Sequence, residues 1–275
     1  MKLYALLRKS PLQTHSPFIH NRLMELLGID GQYGAMEIPP ERIPKVVDAL
    51  KVLGYGGINI TIPYKQAIMP YLDEISPEAQ AIGAVNTVKI EEDGRSRGFN
   101  TDYFGFGVML ERSGIYVKGK GAVLLGAGGA AKALIAYLQD HGASSILVAA
   151  RSPEKLAILK EEHPVIETCS LNDTEALKGS LLINATPVGQ PPLLNDLPVP
   201  REVVEKFEAV ADIISTPPRT ILLELAGELG LKTAGGLAMV VYQACKAEEI
   251  FHQCSIDPKL SDQVYRELEA RLSTQ

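Results

Sequence analysis

The chain has 275 residues, 46% of them hydrophobic and 22% charged, with a formal net charge of −6. That is enough apolar material for a sizeable core in one or two domains. An acidic balance argues against binding nucleic acid or an anionic membrane through bulk charge, and no apolar run of roughly 18 residues is present to span a bilayer.

The amino terminus, Met1-Lys2-Leu3-Tyr4, enters a strand-like stretch without the apolar core and small-residue cleavage site of a secretory signal. Residues 3–7 read as a first strand and 15–27 as a helix. Val46, Val47, Leu50 and Leu53 recur at helical spacing before Gly54. Residues 57–62 read as a strand, 76–82 as a short helix and 85–90 as another strand. The latter ends at Glu92-Asp93-Gly94-Arg95, whose Asp-Gly pair signals a hairpin.

A second unit begins near Lys120. Residues 122–125 form a short buried strand, followed by Gly126-Ala127-Gly128-Gly129-Ala130-Ala131. Ala130, Ala133, Leu134, Tyr137 and Leu138 then mark one face of a helix. Residues 146–150 are the next strand, and Ser152-Pro153-Glu154 opens a helix with a capping serine and proline at its first position. Further strands are expected at 181–185 and 209–214, and a last helix at 237–254 that returns to the first domain. Alternating strands and helices with short turns define an α/β protein with a doubly wound sheet. The proline-rich loop at 187–200 is a candidate flap. Cys169, Cys245 and Cys254 match neither zinc nor redox spacing and read as reduced thiols of a cytoplasmic protein.

Gly126-x-Gly128-x-x-Ala131 lies between a strand and a helix, the setting in which this pattern binds a dinucleotide. The first glycine permits the turn, the second lets the backbone approach a pyrophosphate, and a small third residue lets helix and strand pack closely. The helix start offers N–H groups and partial positive charge to phosphate. The next strand ends in Ala149-Ala150-Arg151-Ser152, with no acid to bind ribose hydroxyls. Arg151, Ser152 and Lys155 at that place suit a 2′-phosphate, so NADP is expected over NAD.

Three polar groups lie in the first domain. Thr14 and Ser16 precede a helix, where hydroxyls either cap it or hold a carboxylate. Asn59 and Thr61 point to one face of a strand, with Lys65 one turn later. Asn86-Thr87 and Asn100-Thr101-Asp102 stand where a purely structural strand would prefer apolar residues. No metal is expected, and the five histidines show no ligand spacing.

Taken in order, Asn59-x-Thr61-x-Pro63-Tyr64-Lys65, Gly83-Ala84-Val85-Asn86-Thr87, Asn100-Thr101-Asp102 and Gly126-Ala127-Gly128-Gly129-Ala130-Ala131 resemble the shikimate dehydrogenase family. Asn184-Ala185-Thr186-Pro187 and Gly236-Leu237-x-Met239 through Gln243 extend the likeness over nearly the whole chain. The resemblance implies NADP-linked reversible reduction of 3-dehydroshikimate to shikimate, in the making of aromatic amino acids. It implies Lys65 and Asp102 as the catalytic pair. Thr14, Ser16, Asn59, Thr61, Asn86 and Gln243 would contact a shikimate-like hydroxy acid, and Thr186 and Gly236 would join the glycine-rich turn around the cofactor.

The implied division is a substrate-binding and catalytic domain at 1–101 with 238–275, and a Rossmann-type NADP-binding domain at 102–237. A monomer or homodimer is expected. The sequence departs from the family pattern at Arg8-Lys9-Ser10, at Thr14 where serine is usual, at Ser215 where a tyrosine usually reaches the substrate carboxylate, at Gly235 and at Gln190. All but Gln190 and Gly235 concern the carboxylate end of the substrate. Two other readings therefore stand beside the first: a paralogue acting on quinate or another hydroxylated carboxylate, and a non-catalytic NADP-binding regulator.

Overall fold

A computed structural model of the chain describes residues 1–11 and 14–273. The chain folds into two compact units. One comprises Met1–Gly105 with Val240–Gln275, the other Phe106–Met239.

The first unit is built on a mixed six-stranded sheet. Its elements are β1 (Lys2–Arg8), α1 (Ser16–Leu27), β2 (Gly31–Glu37), α2 (Ile43–Val52), β3 (Tyr55–Ile60), α3 (Tyr64–Ala67), β4 (Glu74–Ile75), α4 (Pro77–Ile82), β5 (Thr87–Ile90) and β6 (Ser96–Phe99), in spatial order β2-β1-β3-β5-β6-β4. β1 pairs in parallel with β2 and β3, whereas β5 runs antiparallel to both β3 and β6. The β5–β6 hairpin turns at Gly94, whose φ of 83° is a conformation that side chains resist. Helix α4 starts as its sequence suggests, with the Ser76 hydroxyl accepting from the Ala79 N–H and proline in its first turn. Ala5, Leu7, Val46, Val47, Leu50, Ile58, Ile60 and Val88 form one side of the core.

Helix α5 (Asp102–Arg112) leads into the second unit. There β7 (Gly121–Leu125), α6 (Ala131–Asp140), β8 (Ser145–Ala150), α7 (Pro153–Glu162), β9 (Glu167–Ser170), β10 (Leu181–Asn184), α8 (Arg201–Val204), β11 (Ala209–Asp212), α9 (Ile221–Glu228) and β12 (Lys232–Gly235) alternate. Every pairing is parallel, and the order is β12-β11-β10-β7-β8-β9. This is the doubly wound arrangement, with the order reversing between β7 and β10. The strand cores are almost wholly apolar because helices cover both faces. Residues 187–200 contain no helix or strand; their turn is closed by bonds from the Gly189 N–H to the Leu193 carbonyl and from the Leu193 N–H to the Gln190 carbonyl.

Helix α10 (Gly236–His252) returns the chain to the first unit, where α11 (Pro258–Ser273) follows. Ala247 and Phe251 of α10 join Tyr4, Leu6, Met24 and Tyr33 in a second apolar cluster. Glu248, fully buried on the same helix, places one carboxylate oxygen 2.5 Å from His20 Nδ1 on α1. His252 Nε2 lies 3.0 Å from the other oxygen, within ion-pair distance but not aligned as a hydrogen bond. Burial works to raise the Glu248 carboxyl, yet the two imidazoles outweigh it and hold it below the ordinary carboxylate value.

Several elements lie outside the sequence expectations: β2, α5, β9, α9, β12 and α11. β2 carries two glycines and buries only Tyr33 fully, and α11 buries only Ser261, Val264 and Leu268. β2 presents no strong apolar period, whereas α11 carries a narrow apolar row at Leu260, Val264, Leu268 and Leu272. The expected strand through residue 62 ends at Ile60, where the chain turns into α3. Among the described residues no helix is long and apolar enough to cross a membrane, and the three cysteines are unbridged.

Candidate active site

In the first unit, backbone hydrogen bonds bring distant polar residues together. The Val85 N–H donates to the Lys65 carbonyl, the Asn86 N–H to Phe99, and the Ile60 N–H to Asn86. The Asn100 side chain donates to the Ala84 carbonyl at 2.9 Å and accepts from the Asp102 N–H at 3.1 Å, so the start of α5 is fixed against the end of α4. Lys65 Nζ then lies 2.5 Å from Asp102 Oδ2. Their side chains are 13% and 11% exposed, enough to meet a ligand while excluding bulk water.

Asn86 ties this pair to its surroundings. Its Nδ2 donates to Asp102 Oδ1 at 3.0 Å and to the Gln243 amide oxygen at 3.4 Å. Its Oδ1 accepts from the Thr101 N–H at 2.7 Å and from the Thr87 hydroxyl at 3.0 Å. The Thr101 hydroxyl donates to Gln243 at 3.1 Å. Asp102 is thus an acceptor at both oxygens, the state suited to a carboxylate beside an ammonium. Thr61 is half-buried just beyond β3.

Asn59 requires a correction. It is 4% exposed, and both ends of its amide are engaged, Oδ1 by the Tyr33 hydroxyl at 2.8 Å and Nδ2 by Thr87 Oγ1 at 2.9 Å. It supports the site from within the core, because alternation along a strand sets the face of a side chain and not its depth. Thr14 and Ser16 do meet: the Ser16 N–H donates to Thr14 Oγ1 at 3.3 Å and the two hydroxyls lie 3.2 Å apart. Arg8 pairs with Glu37 at 2.9 Å, so its charge is already met by a carboxylate.

In the second unit the glycine-rich turn sits at the end of β7, where the strand order reverses. Gly126 has φ 104°, and a Cβ there would fall 2.8 Å from the Ala185 carbonyl oxygen, so only glycine fits. A Cβ at Gly128 would meet nothing within 4 Å, leaving backbone open to a ligand. Ala127, Gly129 and Ala130 complete the turn, and Ala131 is buried at the start of α6. No side chain caps α6; the Ala131 N–H at its start donates to the Gly128 carbonyl at 3.1 Å, and the positive end of the helix faces the turn. These residues fit the pyrophosphate of a dinucleotide.

At the end of β8, Arg151 and Lys155 are exposed. The Ser152 hydroxyl is already committed, accepting from the Lys155 N–H at 3.3 Å and donating to Glu154 at 2.7 Å. It serves first as a helix cap. Ser215 is half-buried just after β11. Gly236 is required by packing alone, since a Cβ there would fall 2.3 Å from the Ile213 carbonyl group.

A buried network missed by the sequence reading holds the loop after β10. Asn184 Oδ1 accepts from the N–H and hydroxyl of Thr186, and its Nδ2 donates to the Val188 carbonyl and to Asp212 Oδ1. Asp212, fully buried, also accepts from the Ile214 N–H and the Thr220 hydroxyl. Burial raises its carboxyl above the ordinary value, against these three bonds. A lone Asp and Asn ending otherwise apolar strands were the available signal. Among the described residues no group of three His, Cys, Asp or Glu is placed to hold a metal.

A parallel sheet with an open glycine turn, and a second α/β unit carrying a shielded Lys–Asp pair, define the two-unit dinucleotide-binding class. Residues 11–88 match the shikimate dehydrogenase substrate binding domain, and residues 110–187 match the shikimate / quinate 5-dehydrogenase domain. Shikimate dehydrogenase (NADP(+)) of Clostridium beijerinckii is 41% identical over 96% of this chain and 97% of its own length. A chorismate mutase/shikimate 5-dehydrogenase fusion protein from Clostridium acetobutylicum matches with a TM-score of 0.94 and 41% identity, over 99% of this chain and 98% of that one. A shikimate 5-dehydrogenase from Thermus thermophilus, solved with NADP(H) and shikimate, matches with a TM-score of 0.86 and 35% identity, over 97% of this chain and 99% of that one. The chain belongs to the shikimate dehydrogenase family.

Proposed function

We propose that this chain catalyses the NADP-linked, reversible reduction of 3-dehydroshikimate to shikimate, a step toward aromatic amino acids. The observation that carries this reading is the 2.5 Å contact of Lys65 with Asp102, shielded from water and held by Asn86. NADPH, when bound, supplies a hydride to the substrate carbonyl carbon. Charge then develops on the carbonyl oxygen, which must also gain a proton. The Lys65 ammonium stabilises that charge and donates the proton, and Asp102 holds the lysine in place and aims it.

Asn86 and Gln243, already linked to the pair, bind substrate hydroxyls with Thr61. Thr14 and Ser16 hold the carboxylate. Residues 126–131 hold the pyrophosphate, next to the loop of Thr186, and Arg151 with Lys155 binds the 2′-phosphate. The unit of residues 1–105 with 240–275 takes the substrate and the catalytic pair, and that of residues 106–239 takes the cofactor. The chain works on a free small molecule in the cytoplasm, as a monomer or homodimer.

Ser215, in place of a long phenolic side chain, favours one second reading, a wider substrate range that includes quinate. An NADPH-linked spectrophotometric assay over 3-dehydroshikimate, shikimate and quinate separates the two. Lys65→Ala is expected to lower kcat by about 10²–10⁴-fold, the range of acid–base catalysis. Turnover of Lys65→Ala at near the unmutated rate would reject the assignment.

A further inference from the structure

We propose that Tyr33, Asn59 and Thr87 are positioning residues: a one-way hydrogen-bond relay that begins at the Tyr33 hydroxyl and holds Asn86 against Asp102. The inference rests on the catalytic reading of Lys65 and Asp102 above. The three positioning residues lie behind the pair, Tyr33 2% exposed, Asn59 4% and Thr87 0%, and Asn86, 3% exposed, is where the relay meets the site.

The direction of each bond follows from the groups themselves. The Tyr33 O–H donates to Asn59 Oδ1 at 2.8 Å, which turns the Asn59 NH₂ toward Thr87 Oγ1 at 2.9 Å. Thr87 has a single proton. With the Asn59 donor facing it, that proton goes to Asn86 Oδ1 at 3.0 Å, or is shared with Thr101 Oγ1 at 3.3 Å. Asn86 Nδ2 then donates to Asp102 Oδ1 at 3.0 Å, and Lys65 to Oδ2 at 2.5 Å. Every group passes a donor forward, and the carboxylate is the final acceptor.

Tyr33 is well fixed as the origin. Its ring lies parallel to the His20 imidazole, 3.9 Å between centroids and 1° between planes, and His20 is itself bonded to Glu248. Its backbone N–H is held by Asn21 Oδ1 at 2.9 Å. Without the Tyr33 hydroxyl, Asn59 Oδ1 is left unpaired in the core. No donor then fixes which way the amide faces, and in the orientation that turns this oxygen to Thr87 the Thr87 proton leaves Asn86. Thr101 still holds Asn86 Oδ1 through its N–H at 2.7 Å and its hydroxyl at 3.2 Å, so the effect is graded: loss of one donor in a dry network where successive bonds polarise one another.

The test compares Tyr33→Phe, Thr87→Val and Thr87→Ser with the unmutated chain. The readings are kcat, KM for shikimate, the pH profile of kcat, the thermal midpoint and NADPH binding by fluorescence. Tyr33→Phe and Thr87→Val are expected to lower kcat by about 2- to 13-fold, the equivalent of one net hydrogen bond of ~0.5–1.5 kcal/mol. The acid limb of the pH profile should move upward, with NADPH binding unchanged and KM within about twofold. Thr87→Ser, which keeps the hydroxyl, should restore kcat. Should Tyr33→Phe not fold, the Thr87 pair decides alone. An active parent chain with Tyr33→Phe or Thr87→Val at full kcat, or with Thr87→Ser as impaired as Thr87→Val, overturns the relay. A parent chain inactive on 3-dehydroshikimate and shikimate overturns the catalytic reading, and the relay with it.

Discussion

Removing the carboxylate of Glu248 tests whether the return of α10 is held by its buried ion cluster. Glu248 has no exposed surface, and its oxygens lie 2.5 Å from His20 and 3.0 Å from His252. Glu248→Ala deletes the shared partner and leaves the His20 Nδ1 without its acceptor in a core closed by Tyr33 and Phe251. Breaking a buried pair from one side costs about 3–5 kcal/mol. At about 2–4 °C per kcal/mol for a unit of this size, the melting midpoint should fall by roughly 6–20 °C.

Because the folded carboxyl is held below its ordinary value of 4.5, its contribution is fully present above that value. It is lost as pH falls through the folded value. Glu248→Gln keeps the volume and can still accept from one imidazole, so it should be milder at neutral pH and should flatten the acid side of the stability profile. Thermal melts by circular dichroism from about pH 3 to 8, on all three proteins, give the comparison. A midpoint for Glu248→Ala within about 2 °C of the parent would refute the reasoning.

Three further outcomes are expected. Gly126→Ala places a methyl group 2.8 Å from the Ala185 oxygen at φ 104°, so NADPH affinity measured by fluorescence should drop at least tenfold; parental affinity would show that the turn tolerates a side chain. Asp212→Asn keeps its acceptor toward Asn184 and Ile214 and removes a charge whose burial raises its carboxyl. The variant should melt above the parent at pH 7, with the difference vanishing below about pH 4 as the aspartate takes up its proton; a lower midpoint at pH 7 would mean the charge is required. Arg151→Ala should raise KM for NADPH with little effect on NADH, and an equal change for both would remove Arg151 from the 2′-phosphate site.

The parallel sheet was legible because its strands, such as 122–125 and 146–150, are short apolar runs between helices of clear period. Helix α11 was less legible, although Leu260, Val264, Leu268 and Leu272 recur at helical spacing, because that row is one residue wide in a mostly polar segment. The site divides in the same way. The glycine turn carries its own local logic in five or six residues. Lys65 and Asp102 lie 37 positions apart and look locally like a surface lysine and a loop acid. Their contact depends on the antiparallel pairing of β5 and β6, which no local pattern reports. Strand alternation gives Asn59 its face but not its depth. Tyr33 and Glu248 stay silent in the sequence because nothing near either residue indicates its distant partner, and Asp212 signals only by ending an apolar strand.

The bond between His20 and Glu248 joins residues 228 positions apart, and everything in between includes an entire second unit. On a chain synthesised from its amino terminus, the second unit through β12 is complete before α10 is made. The dinucleotide sheet can therefore close while the first unit still lacks Gln243, Glu248 and the helix that covers Tyr4 and Tyr33. Long-range contacts of this kind form late because loop closure must precede them. The order of synthesis thus has the cofactor half ready first, and the half with the reactive lysine finishes only when the last helices arrive.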